Sequence, residues 1–272
     1  MLRPHPSTAL EYWFFKVNAG PTALLVDWIV RRQANENILR VSIHSPQGRE
    51  VLFDKRPVLM GIGSNFLSAE RTAGQVGDVE WELEIDDRNE WIAPDIFPAR
   101  LLSMTDLALV SAPLARFSGW IRHGKHEVKL DRSPGMLSQY WGRKLAPEWW
   151  WVSASQFDQE GVAVECAVFK SGVWGRDVNL PLAYLYLRQV GLTELIVAPF
   201  GLVRVTGDPE KFEIEIRRIG GKPITLIGMG REYGDLGEGI INTLVGDLEV
   251  HVGGKVIASA RGTAGLERRA PS

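Results

Sequence analysis

Three carboxylates interrupt runs that are otherwise apolar or aromatic: Glu11 in LEYWFF, Asp27 in ALLVDWIV and Glu165 in VAVECAVF. A carboxyl group in such company loses its water, which raises its pKa and makes it a candidate general acid. Glu11 has the alternative of pairing with a nearby arginine. Asp27 and Glu165 have the alternatives of a structural salt bridge or an outward face. Side chains alternate along a strand, so Asp27 shares a face with Leu25 and Ile29, and Glu165 with Ala163 and Ala167, small neighbours that leave room beside it.

The second chemical signal is aromatic. The chain has 10 tryptophans, and they cluster: Trp13 beside Tyr12, Phe14 and Phe15; Trp141 beside Tyr140; and Trp149, Trp150 and Trp151 in a row. On a strand, Trp149, Trp151, Ser153, Ser155 and Phe157 share one face, and Trp150, Val152, Ala154 and Gln156 the other. Two readings stand. In one, the indoles fill a core on one face and an interdomain contact on the other. In the other, they line a cavity for a large apolar ligand, with π faces able to stabilise a developing cation.

Other chemistries find no support. The 5 histidines show no paired ligand spacing and no HExxH occurs, so no metal site is expected. His44 shares a face with Arg40 and Ser42, which reads as a solvated outer side of ILRVSIHS. His123 and His126 flank Gly124-Lys125 in a hairpin turn and are expected in solvent. GIGS at 61–64 and GMGRE at 228–232 lack the spacing and the following helix of a phosphate cradle, and no G-x-S-x-G elbow surrounds Ser138, Ser153 or Ser155. Lys plus Arg number 31 against 33 Asp plus Glu, a net charge of -2 that leaves no footprint for nucleic acid. The single cysteine, Cys166, excludes an intrachain disulfide or a thiolate cluster. The start of the chain has no signal-peptide pattern and no run is clean enough to span a membrane, so a cytoplasmic protein is expected. Peripheral contact with a membrane remains compatible with that reading.

The elements that must position these groups are strands. Thr22 to Val30 and Ile38 to Ser45 alternate or run apolar on either side of the polar RRQANEN, a hairpin, and REVLFDKR, QVGDVEWELEID and FSGWIRHGKHEVKL continue the pattern. A second series follows Ser133-Pro134-Gly135: EWWWVSASQFD, EGVAVECAVFKSG, LIVAPFGLVRVTG, KFEIEIRRI, GIINTLVGDLEVHV and GKVIASARGTAGLE. Pro181 to Gln189 and Pro94 to Thr105 are the segments with room for a helical turn or two. The reading is all-β, with two barrel-like domains, 1–132 and 133–272.

Four segments together resemble the tocopherol cyclase family and its lipocalin-like relatives, the carotenoid 1,2-hydratases and the β-barrel Diels–Alderases. RPH at 3–5 with EYWFFKV at 11–17 is similar to the family's opening Pro-His and E-G-W-Y-F-[KR]-V strand. SGWIRHGKHEVKL at 118–130 resembles its G-W-I-E-x-x-G hairpin, WGRKLAPEWWWVSASQFD at 141–158 its N-W-G…W-[FW]-W segment, and GDLEVHVGGKVIASARGTAGLE its closing strands. The resemblance implies two lipocalin-like antiparallel β-barrel or sandwich domains packed together, no cofactor, and a large apolar isoprenoid or polyene substrate. It implies cyclisation or hydration of that substrate: an acid protonates an alkene, aromatic rings shelter the cation, and an oxygen captures it. Glu11, Asp27 and Glu165 are the candidate acids, and Tyr12, Trp13, Tyr140, Trp141, Trp149, Trp151, Ser153 and Ser155 the candidate wall. Ser138, Gln139 and Tyr140 stand where the family has a charged residue and Asn before W-G, and Ser153 and Ser155 where it has Gln and Asn. Those departures keep open a pericyclic catalyst, or a non-catalytic carrier of a hydrophobic ligand.

Overall fold

β-branched and aromatic residues alternating over short runs, separated by two-residue turns, leave strand pairing as the main way to satisfy the backbone. The computed structural model describes residues 4–56, 65–86, 107–173, 176–189, 192–198 and 202–270, and every regular element among them is a β-strand. The described residues fall into two compact units, one reaching Leu145 and the other starting at Ala146.

The first unit holds β1 (Leu10–Ala19), β2 (Thr22–Arg31), β3 (Glu36–Ser45), β4 (Gly48–Arg56), β5 (Phe66–Leu67), β6 (Arg71–Val76), β7 (Val79–Asp86), β8 (Leu107–His123) and β9 (His126–Gly142). They form one antiparallel sheet in the order β4-β3-β2-β1-β9-β8-β7-β6-β5, so the first and last strands of the unit lie side by side in its middle. The second unit holds β10 (Trp149–Ala154), β11 (Ala163–Val173), β12 (Arg176–Gln189), β13 (Leu192–Ala198), β14 (Val203–Gly207), β15 (Lys211–Ile216), β16 (Ile224–Met229), β17 (Gly234–Gly237), β18 (Ile240–Val252) and β19 (Lys255–Arg269). Its order, β13-β12-β11-β10-β19-β18-β16-β15-β14 with β17 on β18, winds in the same way around its own first and last strands.

Each sheet packs a core on one face. In the first unit Phe15, Val26, Trp28, Val41, Trp81 and Phe117 meet in one buried cluster. In the second, Trp150, Val152, Cys166, Phe212, Ile214 and Leu266 do. The opposite faces of the central strands are buried as well, and β2 is buried from Thr22 to Ile29 without interruption. Burial on both faces explains why these strands read as continuous apolar runs, and why a charged residue within them is conspicuous.

Several sequence expectations are corrected here. Ser133-Pro134-Gly135 is no linker: it lies inside β9, with Gly135 opposite Val17 on one side and Ala115 on the other. A Cβ at Gly135 would stand 2.4 Å from the Lys16 carbonyl oxygen and 2.6 Å from the Phe117 ring, so glycine there permits a close approach of strands. The division between units accordingly falls at 145/146 instead of 132/133. Pro181 to Gln189 belongs to β12, paired by β11 and β13 along both edges, and pairing overrides its weak helical pattern. Pro94 to Thr105 and GIGS at 61–64 lie outside the described residues. The polar side of ILRVSIHS is not solvated, since Arg40 and Ser42 are buried. His123 is not in solvent either: only 2% of it is exposed, and its Nδ1 lies 2.8 Å from Ser45 Oγ.

Candidate functional site

Register places a polar group on the face of the first sheet opposite its core. Phe14 pairs with Asp27 and Asp27 with Arg40, so the three form one row across β1, β2 and β3. The neighbouring rows bring Tyr12 against Tyr140 and set Lys16 in line with Leu25 and Ser42. Arg40 Nε donates to Asp27 Oδ2 at 2.7 Å, Arg40 Nη2 donates to the Tyr12 hydroxyl, and that hydroxyl hydrogen-bonds Asp27. Lys16 Nζ donates to Asn18 Oδ1, and Ser138 Oγ donates to Ser111 Oγ at 2.5 Å. Three rings border the polar atoms: Phe14 stacks on Tyr140 with centroids 5.5 Å apart, and Tyr12 meets them edge-on at 5.7 and 6.5 Å.

Burial sets the electrostatics of this face. Lys16, Asp27 and Arg40 are 3%, 1% and 3% exposed. Desolvation drives the Asp27 carboxyl above the usual carboxylate range, against the downward pull of the Arg40 guanidinium and the two hydrogen bonds. The same desolvation brings the Lys16 amine down to about 7, so near neutral pH it is both a proton donor and an acceptor. Ser42 Oγ, buried in the same row as Lys16, has no hydrogen-bond partner among the described residues. A buried hydroxyl without a partner is rare enough to mark a place where a bound molecule or water is accommodated.

The second sheet repeats the theme with other residues. Ser153 pairs with Glu165 and Glu165 with Tyr186 in one row across β10, β11 and β12, all three buried. Trp151 Nε1 donates to Glu165 Oε1 at 3.3 Å, while Ser153 Oγ has no partner among the described residues. Cys166, next to Glu165 but on the core face, has its thiol pushed up by burial and by the adjacent carboxylate, which leaves it unreactive. Trp149, at the strand's edge, donates its Nε1–H to Glu267 Oε1 at 2.8 Å and lies under the Arg269 guanidinium at 5.1 Å. With Phe169, Val203 and Val205 it lines a pocket of about 180 Å³, too small for a large isoprenoid. A larger groove of about 830 Å³ in the first unit is walled by Arg71, Glu82, Glu84, Asp86 and Arg116, a lining unsuited to an apolar ligand.

The structure thus sorts the residues singled out from sequence. Tyr12, Asp27 and Tyr140 come together on one face, and Trp151, Ser153 and Glu165 on another. Glu11, Trp13 and Trp141 belong to the other side of β1 and β9. Glu11 accepts from the His5 amide and pairs with Arg32 Nη2 at 2.7 Å, anchoring the N-terminal segment, and Trp141 stacks on His5 at 4.0 Å. Trp13 packs against the core cluster. Ser155 follows the end of β10, where alternation stops, and Phe157 consequently packs on the core instead of sharing the Ser153 face. Sequence reasoning missed Lys16, Arg40 and Ser42. Their signal was present: Lys16, Asp27 and Arg40 are charges set in three consecutive apolar strands, and opposite signs there must meet.

No protein-family model matches the chain, and no curated protein matches its sequence. Solved structures do match in fold. Kievitone hydratase from Nectria haematococca superposes with a TM-score of 0.68 at 12% identity, over 98% of this chain and 90% of that one. A protein designated AttH from Nitrosomonas europaea gives 0.66 at 14%, over 97% and 93%, and CghA solved with Sch210972 gives 0.63 at 13%, over 97% and 89%. The fold is therefore the all-β, two-unit lipocalin-like one shared with these proteins. The narrower likeness to tocopherol cyclases is not carried by these neighbours.

Proposed function

We propose that the protein is a cofactor-free enzyme of the cyclase or hydratase type, acting on a large, mainly apolar isoprenoid or polyene at the Asp27 face of the first sheet. The observation that carries this is that an acid pushed upward and an amine brought down to about 7 share one buried face with three aromatic rings. Perturbed titratable groups gathered in this way are characteristic of catalytic sites. Fold likeness to a kievitone hydratase and to CghA supports the reading by analogy.

In the proposed step the Asp27 carboxyl gives its proton to an alkene carbon of the substrate. The cation that forms is sheltered by the Tyr12, Phe14 and Tyr140 rings. A water molecule, or a phenol oxygen of the substrate, bonds to the cation, and its proton passes to the Lys16 amine. Return of that proton to Asp27 through solvent resets the site. Arg40 and Tyr12 hold the carboxyl in place, and the polar atoms of Lys16 and Ser42 receive an oxygen-bearing end of the substrate. Among the described residues no helix is long and apolar enough to cross a membrane; the substrate is met in the cytoplasm or at a membrane surface.

The test is incubation of the purified protein with prenylated quinols, linear carotenoids and polyenes, followed by mass spectrometry of solution and protein-bound fractions. A new isobaric product means cyclisation and a product one water heavier means hydration. Asp27→Asn is expected to abolish either while retaining ligand, and full turnover in that variant overturns the assignment of the acid. One observation favours a second reading, a non-catalytic carrier: Asp27 is already paired with Arg40 and Tyr12. Unchanged compound retained on the wild-type protein, with no product from any of the panel, is its signature.

A further inference from the structure

Away from the Asp27 face, the ends of β3, β4 and β8 meet the β6–β7 turn. The turns Gly77-Asp78 and Gly124-Lys125 each open on a glycine in the left-handed region, at φ 61° and 56°, and Gly124 N donates to the Asp78 carbonyl at 3.0 Å. The two turns are thereby fixed to each other. His123, the last residue of β8, is held by its Nδ1 at 2.8 Å from Ser45 Oγ, an oxygen that also accepts from Gln47 N at 3.0 Å. Its Nε2 then points at two carboxylates, 3.6 Å from Glu50 Oε2 and 3.9 Å from Asp78 Oδ1.

Those separations decide the reading. They are too long for a hydrogen bond to either oxygen. An ion bound at the usual zinc distances to imidazole nitrogen and carboxylate oxygen keeps tetrahedral ligand atoms about 3.4 Å apart. The three ligand atoms lie within 4.8 Å of one another, so closing by no more than about 1.4 Å, within reach of a side-chain rotation, brings all three onto one ion. Glu50 and Asp78 have side chains 44% and 57% exposed and are free to make that adjustment, whereas His123 is fixed in place. We propose that Glu50, Asp78 and His123 form a binding site for a zinc-class divalent cation, with water completing the coordination on the open side. The imidazole selects a borderline transition metal over magnesium or calcium, and Ser45 is the partner that orients the ring. Bound metal ties β4, the β6–β7 turn and β8 together, a role independent of the chemistry proposed at Asp27.

The rival arrangement is an imidazolium ion between two carboxylates, with no metal. Titration of the full-length protein with Co²⁺, followed by its visible absorption, separates the two. We expect one saturable equivalent, displaced by Zn²⁺, and a melting temperature that rises with Zn²⁺. Glu50→Gln and Asp78→Asn alter exposed positions that the fold tolerates, and each is expected to weaken Co²⁺ binding at least about tenfold. His123→Asn is expected to abolish the band, and the carboxylate variants keep the test decisive if that buried substitution impairs folding. Absence of a saturable band in the wild-type protein overturns the proposal. So does wild-type affinity in both carboxylate variants.

Discussion

The second faces of the two sheets pose one problem and answer it differently. Each carries a buried carboxyl group on the unit's second strand, next to its first, Asp27 in one and Glu165 in the other, within sheets of the same winding. Asp27 faces a guanidinium at 2.7 Å, while Glu165 accepts from the indole of Trp151 at 3.3 Å. A charged partner balances a buried charge in a way that a neutral donor does not, at the cost of desolvating a second ion. The first face thus brings together a carboxyl group, a guanidinium and an amine, and the second places a carboxyl group beside an indole and in one row with two hydroxyls. The raised carboxyl and the lowered amine on one face are why the proposed chemistry is assigned to Asp27.

The largest expected effect breaks the contrast at Arg40. Arg40→Met leaves Asp27 buried without its cation and is expected to cost about 3–5 kcal/mol. The double variant Asp27→Leu/Arg40→Met, which removes both charges, is expected to recover most of that loss. Glu165→Gln keeps an acceptor for the Trp151 indole and is expected to cost about 1 kcal/mol. Urea denaturation of the four proteins measures these differences, and an Arg40→Met variant as stable as Glu165→Gln would remove the asymmetry between the faces.

Next in size is a pH dependence that comes from Lys16 on the first face. The Lys16 amine is lowered from its ordinary 10.5 to about 7 in the folded chain by burial. Between those values the unfolded chain holds a proton that the folded one has released. Stability from this group therefore rises with pH from about 7 to 10.5, by at most about 1.4 kcal/mol per pH unit, and is flat below 7, where both states are protonated. Lys16→Met is expected to remove the rise and to be more stable than wild type at pH 6. Parallel profiles for the two proteins between pH 7 and 10 would show that the amine is not desolvated as the structure has it.

How much of this was legible in the chain depends on the kind of information required. Alternation correctly joined Trp149, Trp151 and Ser153 on one face and Trp150 and Val152 on the other, because period-two geometry is local. It held only to Ala154, the last residue of β10, and so misplaced Phe157. The HGK turn was readable from its glycine, yet the burial of His123 was not, since it comes from the ends of β3 and β4 far away in sequence. Pro134 and Gly135 read as a linker because their composition is that of one; only the pairing of β9 with β1 and β8 turns the glycine into a contact point. From alternation, Arg40 beside Ser42 reads as a solvated side, whereas both are buried. Alternation groups residues but does not orient the group, and the orientation here is set by a sheet buried on both faces.

The smallest effect asks whether burial or chemistry governs the second face, using two indoles two residues apart on one strand. Trp151 and Trp149 each donate a ring N–H to a carboxylate, Glu165 at 3.3 Å and Glu267 at 2.8 Å. Glu165 is fully buried, whereas Glu267 is partly exposed and also receives Asn242 Nδ2 at 3.2 Å. Replacing either tryptophan by phenylalanine removes the donor and keeps most of the aromatic surface. If the loss is set by the acceptor left behind, Trp151→Phe costs about 1–3 kcal/mol, because a buried carboxylate has one donor fewer. Trp149→Phe then costs about 0.5 kcal/mol, since water and Asn242 take over. The shorter bond would in that case be the weaker contributor, and equal losses in thermal unfolding would instead show that the donor, and not the burial of its partner, sets the energy.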